Sequence, residues 1–255
     1  MRGCSQNDYH QQDVWQHSIA ALEALEFFLA KPQELLGRYA DEALPILAQK
    51  IAGQRTREIM LKFGVLLHDI GKPICRTVDQ NGGIHFYGHQ VAGARLAGSL
   101  CARFCFSNKE IDFVTQLVRQ HMRIVQLFSL KRTSRKALSR LFKLGPELFW
   151  PLLFLFGSDY IATKGPRSQK GDIGPLRHRI DRWLDFYHMQ LKPREGKPPL
   201  VSGHELMNRL NLTPGPTVGK LLHTLAELQW EGRITSRDEA LKRATQLLEK
   251  WMKRR

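Results

Sequence analysis

Histidine and aspartate stand side by side in Gly64-Val65-Leu66-Leu67-His68-Asp69-Ile70-Gly71-Lys72-Pro73, at the end of an apolar, helix-like run. Neither side chain is expected inside a protein without a partner, and a divalent cation satisfies an imidazole lone pair and a carboxylate charge together. A helix end with a polar turn, stopped by Gly71 and kept from resuming by Pro73, accounts for the same residues without a metal. The pair does not stand alone. His17, His89, His121 and Asp159 each fall in their own amphipathic or apolar segment, so separate helices could each deliver one ligand, as helical bundles do when they build a metal site.

The segments that must position these residues read as helices. His17 follows a candidate N-cap, Asp13, and shares its stretch with the apolar stripe Trp15, Ile19, Leu22 and Leu25. His89 lies among small residues that let another backbone approach, His121 follows Val114, Leu117 and Val118, and Asp159 ends the very apolar run 149–156. Periodicity and end signals predict helices over 14–30, 44–52, 56–69, 89–104, 108–121, 133–142, 147–162, 176–191, 203–210, 216–229 and 237–254. Asn81-Gly82-Gly83 between short β-formers predicts a small hairpin within 77–87. The prolines and charges of 193–199 predict a linker between a domain over 1–192 and a helical carboxy-terminal domain over 200–255. In the latter, Ser202 with Glu205 and Ser236 with Glu239 read as capping boxes. Pro214-Gly215-Pro216 opens a helix whose free amides could hold a phosphate, although the turn alone accounts for them. The fold class is therefore all-α.

At 255 residues and 42% hydrophobic, the chain can bury a sizeable core. Its polar start is no signal peptide and its longest apolar run is too short to span a bilayer, so the expectation is a cytoplasmic protein without a membrane partner. The cysteines, Cys4, Cys75, Cys101 and Cys105, form no zinc-type doublet, and Cys101 and Cys105 read as small buried residues. The formal charge of +15 calls for an anionic partner. Between 103 and 143 the basic residues Arg103, Lys109, Arg119, Arg123, Lys131, Arg132, Arg135, Lys136, Arg140 and Lys143 face only Glu110 and Asp112. Such a stretch would draw phosphates by charge, or would simply be a solvated helix face. No aromatic-interleaved signature for base reading accompanies it.

The order His17, His68-Asp69, Asp159 resembles the HD-domain superfamily of metal-dependent phosphohydrolases, and the added pair His89 and His121 resembles its two-metal members. More specifically, Gln6-Asn7-Asp8-Tyr9-His10, Asp13-Val14-Trp15-Gln16-His17, Leu67-His68-Asp69-Ile70-Gly71-Lys72-Pro73, Phe86-Tyr87-Gly88-His89-Gln90-Val91-Ala92-Gly93-Ala94 and Phe106-Ser107-Asn108-Lys109-Glu110 resemble the HD region of bacterial tRNA nucleotidyltransferases, the CCA-adding and poly(A) polymerase group. Gly203-His204-Glu205-Leu206-Met207 and Leu212-Thr213-Pro214-Gly215-Pro216-Thr217-Val218-Gly219-Lys220 are similar to that group's carboxy-terminal helical region, so the likeness covers nearly the whole chain.

The resemblance implies an HD helical bundle in which His17, His68, Asp69 and Asp159 hold one cation and Asp69 bridges to a second held by His89 and His121. Two such cations acidify a water and offset phosphoryl charge. Lys72, which belongs to the family motif, would neutralise the phosphate or orient the water; Arg76, Arg119 and Arg123 could do the same or could equally be surface charge. Manganese, iron, nickel, cobalt or zinc suit these ligands, with magnesium a poorer fit. The implied activity is hydrolysis of phosphate esters of nucleotides or RNA ends, 2′,3′-cyclic phosphates included. The alternative is the tRNA-binding body of a split or truncated nucleotidyltransferase, partnered by a separate catalytic head. That group's polymerases carry a head with a Gly-Ser turn and paired carboxylates. Gly157-Ser158 is followed by no such pair, so the chain alone is expected to add no nucleotides.

Overall fold

The computed structural model describes residues 1–6, 12–164 and 173–252. Residues 7–11, which hold the Asn7-Asp8-Tyr9-His10 part of the amino-terminal motif, and the basic end Lys253, Arg254 and Arg255 lie outside the described residues.

Among the described residues the fold is all-α apart from two short antiparallel ribbons. In chain order the helices are α1 (Val14–Ala30), α2 (Pro32–Leu36), α3 (Ala40–Ala48), α4 (Arg57–Leu67), α5 (Lys72–Cys75), α6 (His89–Arg103), α7 (Asn108–Ser129), α8 (Arg135–Phe142), α9 (Pro146–Lys164), α10 (Gly174–Phe186), α11 (Gly203–Leu210), α12 (Pro216–Trp230) and α13 (Arg237–Met252). Strand β1 (Lys50–Ala52) pairs with β2 (Arg55–Thr56), and β3 (Thr77–Val78) with β4 (Ile84–His85). The ribbon over 77–85 is the expected hairpin. The first ribbon is not: the helix expected over 44–52 ends at Ala48, and β1 turns through Gly53, whose φ of 55° suits glycine, into β2.

The chain divides into two units, one of Met1–Thr133 with Leu141–Leu184 and one of Ser134–Arg140 with Asp185–Arg255. In the first, α9 packs against α1, α3, α4 and α7, and every residue from Phe149 to Ser158 is buried. A helix apolar on all sides must be enclosed on all sides. The neighbouring helices instead bury one stripe. On α1 it runs Val14, His17, Ser18, Ala21, Ala24, Leu25 and Phe28, and on α7 it includes Val114, Leu117, Val118, His121 and Ile124. Two candidate ligands thus sit in stripes that face the core.

Helix starts follow their sequence signals. Asp13 Oδ1 accepts from Gln16 N at 2.8 Å and Ser107 Oγ from Glu110 N at 3.4 Å, each with the reciprocal bond that completes a capping box. Glu110 is fully buried, and Arg55 Nε donates to its Oε1 at 2.6 Å, tying the first ribbon to α7. That pairing outweighs the opposing effect of burial and pulls the Glu110 carboxyl down to about 2.

The second unit has its own core of Val201, Leu206, Leu221, Leu225, Leu228, Ile234, Ala240 and Ala244. A π-helical turn (Tyr187–Leu191) and a 3₁₀ turn (Lys192–Arg194) follow α10, and residues 195–202 carry neither helix nor strand. Ser236 and Glu239 form the expected reciprocal cap. Ser202 Oγ caps Glu205 N at 3.2 Å, but the Glu205 carboxylate pairs with Arg237 instead of turning back. Cys105 also departs from expectation: it lies past the end of α6, exposed, with φ of 55°, while Cys101 is buried. Among the described residues no helix is long and apolar enough to cross a membrane.

Candidate metal centre

Five helices converge on Asp69. His17 comes from α1, His68 caps the carboxy-terminal end of α4 with Asp69 in the turn beyond it, His89 opens α6, His121 lies midway along α7, and Asp159 lies on α9. The turn returns as α5, contrary to the expectation that Pro73 forbids a restart; proline is tolerated in a first helical turn, where its missing N–H is not needed. Gly71 makes the convergence sterically feasible. A Cβ there would come within 2.2 Å of the His89 carbonyl oxygen and 2.6 Å of the Gly93 amide nitrogen, so only glycine lets the two backbones meet.

The ligand atoms form two triads, His17, His68 and Asp159, and Asp69, His89 and His121, each with all three atoms within 4.8 Å of one another. Asp69 joins them. Its Oδ2 lies 3.7 Å from His17 Nε2 and 3.2 Å from His68 Nε2, while its Oδ1 lies 3.3 Å from His89 Nε2 and 3.7 Å from His121 Nε2. Asp159 Oδ1 is 3.0 Å from His17 Nε2 and 3.7 Å from His68 Nε2. His17, His68, Asp69 and His121 are each at most 2% exposed. All six residues named from the sequence therefore come together.

Three of the imidazoles are oriented by backbone. Nδ1 of His68, His89 and His121 lies 2.7, 2.8 and 2.7 Å from the carbonyl oxygens of Val65, Phe86 and Val118. With Nδ1 engaged by these carbonyls, it is Nε2 of each ring that turns to the cluster, the nitrogen that can give a metal its lone pair once it holds no proton. His68 Nε2 is buried and makes no hydrogen bond, despite the two nearby carboxylates. An inward-facing buried nitrogen without a hydrogen bond, amid carboxylate and imidazole donors, fits a divalent cation of the nitrogen- and oxygen-binding kind.

The electrostatics agree with that fit. Burial opposes charge on His68, but Asp69 and Asp159 outweigh it and raise the imidazole to about 10. Against the same burial, His68 and Lys72 hold Asp69 well below the usual carboxylate range, and His17 and His68 do so for Asp159. Burial and the positive charge of His68 push His121 down to about 4. The carboxylates thus stay ionised and His121 neutral, while a cation binding His68 competes with its proton.

The other expected site residues are placed differently. The Lys72 ammonium lies 2.6 Å from Asp69 Oδ2 and donates to Gln6 Oε1 at 2.6 Å, with its nitrogen 5.5 Å from the Phe86 ring centre. It is buried and engaged with the bridging carboxylate. Arg76 is exposed and reaches Ser5 Oγ at 3.4 Å. Arg119 and Arg123 sit two residues either side of His121 on α7, a spacing that turns both to the helix face away from it. Arg119 is exposed, and Arg123 reaches Gln120 Oε1 at 3.5 Å. Of the basic residues between 103 and 143, all but Arg123 are exposed, and burial of Glu110 removes one of the stretch's two acids from the surface. Sequence reasoning missed Gln6 as Lys72's partner, since nothing in the spacing links positions 66 residues apart.

No protein-family model matches the chain. Among curated proteins it is 30% identical over 240 residues, 94% of the chain and 48% of the relative, to the A-adding tRNA nucleotidyltransferase of Deinococcus radiodurans. It is 34% identical over 181 residues, 70% of the chain and 38% of the relative, to the CC-adding tRNA nucleotidyltransferase of Thermus thermophilus. A likeness of 34% over 116 residues, 46% of the chain and 11% of the relative, links it to a bifunctional uridylyltransferase/uridylyl-removing enzyme of Erythrobacter litoralis. The chain spans about half or less of the length of these relatives. By sequence it is a relative of the tRNA nucleotidyltransferases.

Proposed function

We propose that the chain is the tRNA-engaging helical body of a tRNA nucleotidyltransferase-type protein, and that this body carries a metal-dependent phosphohydrolase site of the HD type. Relatives named for tRNA, alike over most of this chain, support the first half. Exposed basic side chains supply the charge that phosphate contacts require.

The observation that carries the second half is one carboxylate, Asp69, shared between two imidazole-rich triads. Holding RNA does not call for six coordinating side chains gathered in a core, where polar groups without compensation cost stability. His17, His68, Asp69 and Asp159 would hold one cation, and Asp69, His89 and His121 a second. Bound there, such cations lower the pKa of a water toward neutrality and offset charge on phosphoryl oxygens. The protein's part is orientation: the carbonyls of Val65, Phe86 and Val118 fix the imidazoles, and Lys72 holds the Asp69 carboxylate in the rotamer that faces both triads. Lys72 acts on the bridging group, as a positioning residue, and leaves the phosphate to more exposed cations.

The substrate class is a phosphate ester of a nucleotide or an RNA end, with the 2′,3′-cyclic phosphate first among those the resemblance implies. The uridylyl-removing activity in one relative's name points toward cleavage as well as addition in this sequence neighbourhood. Manganese, iron, nickel, cobalt and zinc suit the donors better than magnesium. RNA ending in a 2′,3′-cyclic phosphate, incubated with the chain and manganese, is expected to be opened to a monophosphate, and a chelator is expected to stop the reaction. Equal conversion with and without chelator would remove the hydrolase half and leave the tRNA-engaging body.

A further inference from the structure

One buried polar side chain at the centre is not a metal ligand. Gln6 is 7% exposed and lies 66 residues from Lys72 along the chain, yet its Oε1 accepts from the Lys72 ammonium at 2.6 Å. Its Nε2 donates to the Gln12 carbonyl oxygen at 3.2 Å. These two bonds fix the sense of the amide, since exchanging its ends would set an NH2 group against the ammonium and an oxygen against a carbonyl. The ammonium, which has three protons to place, thus has Asp69 Oδ2, Gln6 Oε1 and the Phe86 ring around it. A charge held away from water is costly unless it is paired and hydrogen-bonded in this way.

The segment that carries Gln6 is itself tied down. Residues 1–6 form neither helix nor strand, but they are bound to the start of α1. The Gly3 amide donates to Asp13 Oδ2 at 2.9 Å, the Val14 amide to the Cys4 carbonyl at 3.1 Å, and the Arg2 guanidinium lies 5.5 Å from the Trp15 ring centre. Asp13 is also the cap of α1, so one carboxylate starts the helix that delivers His17 and anchors the segment that delivers Gln6. On its other side the segment meets Arg76, which caps the end of α5 and reaches Ser5 Oγ at 3.4 Å. It is a strap from α1 to α5.

We propose that Gln6 is a positioning residue of the metal centre: it fixes the Lys72 ammonium, and through it the Asp69 carboxylate shared by the two triads. That a cation is bound there rests on the hydrolase reading, whereas Gln6 acts on metal binding whether or not an ester is cut. Without the Gln6 oxygen the buried ammonium keeps only one hydrogen-bonding partner, and turning out to solvent on its flexible stem becomes the better arrangement. Asp69 then loses the contact that orients it toward both histidine sets. Partners that orient a ligand in this manner commonly matter roughly ten- to hundred-fold in metal affinity.

Calorimetric titration of the full chain with zinc tests this in wild type, Gln6→Met, Lys72→Met and the double variant, with circular dichroism as the check on folding. Methionine keeps the length of glutamine but not its oxygen, and Gln6→Asn, whose amide falls one methylene short, serves if methionine prevents folding. Gln6→Met is expected to weaken zinc binding about ten-fold. In a chain already carrying Lys72→Met it is expected to weaken it no further, because its effect runs through the ammonium. Arg2→Ala loosens the strap at Trp15, leaves the amide in place, and is expected to bind zinc as the wild type does. Wild-type affinity in Gln6→Met, the same loss with and without Lys72, or an equal loss in Arg2→Ala overturns the proposal. A wild type that takes up no zinc removes it together with the metal site. Affinity lost in Gln6→Met, when the wild type hydrolyses no ester, keeps the positioning role and removes the hydrolase reading; hydrolysis with the affinity of Gln6→Met unchanged does the reverse.

Discussion

Asp69 is the residue on which the account turns, because its two oxygens face different histidine sets. Asp69→Asn keeps the shape but removes the charge both cations would share, so metal uptake should fall at both triads while the fold persists. Metal analysis of the purified variant, with its circular dichroism as the check on folding, decides this; an unchanged metal content would mean that the triads do not act together. Because His68 is raised to about 10, metal uptake near neutral pH should release protons and weaken as pH falls. Calorimetry of zinc binding in two buffers of different ionisation enthalpy reads the proton count directly, and a count of zero would contradict it. The six residues that come together were legible as candidates from residue type and order, since each lies in an amphipathic or apolar segment where a charge or an imidazole needs a partner. Lys72 was legible as a neighbour of the His68-Asp69 pair but not in its contacts. Only the three-dimensional turn shows its ammonium on Asp69 and Gln6.

Among the elements, the junction of α5 with α6 is the one without slack. Gly71→Ala places a methyl group against the His89 carbonyl and the Gly93 backbone, and backbone cannot rotate away as a side chain can. A loss of stability of about 1–3 kcal/mol is expected, with the second triad displaced through His89. Denaturant unfolding and metal content together check it, and a variant with wild-type values in both would show that the helices can separate freely. The first ribbon supplies a pH-dependent test. Glu110 is lowered from 4.5 to about 2, so the unfolded chain takes up its proton first as pH falls. The stability this group contributes is therefore present above about 4.5 and lost on the way down to about 2. Glu110→Gln should cost about 1–3 kcal/mol near neutrality and flatten the acid limb of stability against pH. An acid limb as steep as that of the wild type would assign it to other groups. Helix starts marked by a reciprocal cap were legible to the residue, as at Val14 and Asn108. The far end of α7 was not, because eight further residues beyond His121 continue the same stripe without a stop signal. Strands β1 and β2 were missed because three and two residues are too few to display a period of two.

For the whole molecule, a charge of +15 and tRNA-directed relatives lead to an expectation of salt-sensitive RNA binding. Replacing Arg132, Arg135 and Lys136 with glutamine should lower the slope of log affinity against log salt by about 2–3, the counterions of three phosphates. An unchanged slope would place the contacts elsewhere on the basic surface. The all-α class and the hairpin at 77–85 were legible from periodicity and turn residues. The return of residues 134–140 to the second unit was not, because which core an amphipathic segment joins depends on partners far away in sequence. A buried, metal-loaded cluster built around one shared carboxylate is thus proposed to hydrolyse a phosphate ester. The most direct measurement is the rate at which the purified chain opens a 2′,3′-cyclic phosphate, taken beside its metal content, for wild type and Asp69→Asn. About two divalent ions and metal-dependent turnover are expected in the wild type, with both lost in the variant. Turnover by Asp69→Asn at the wild-type rate, or by a chain stripped of metal, would contradict it.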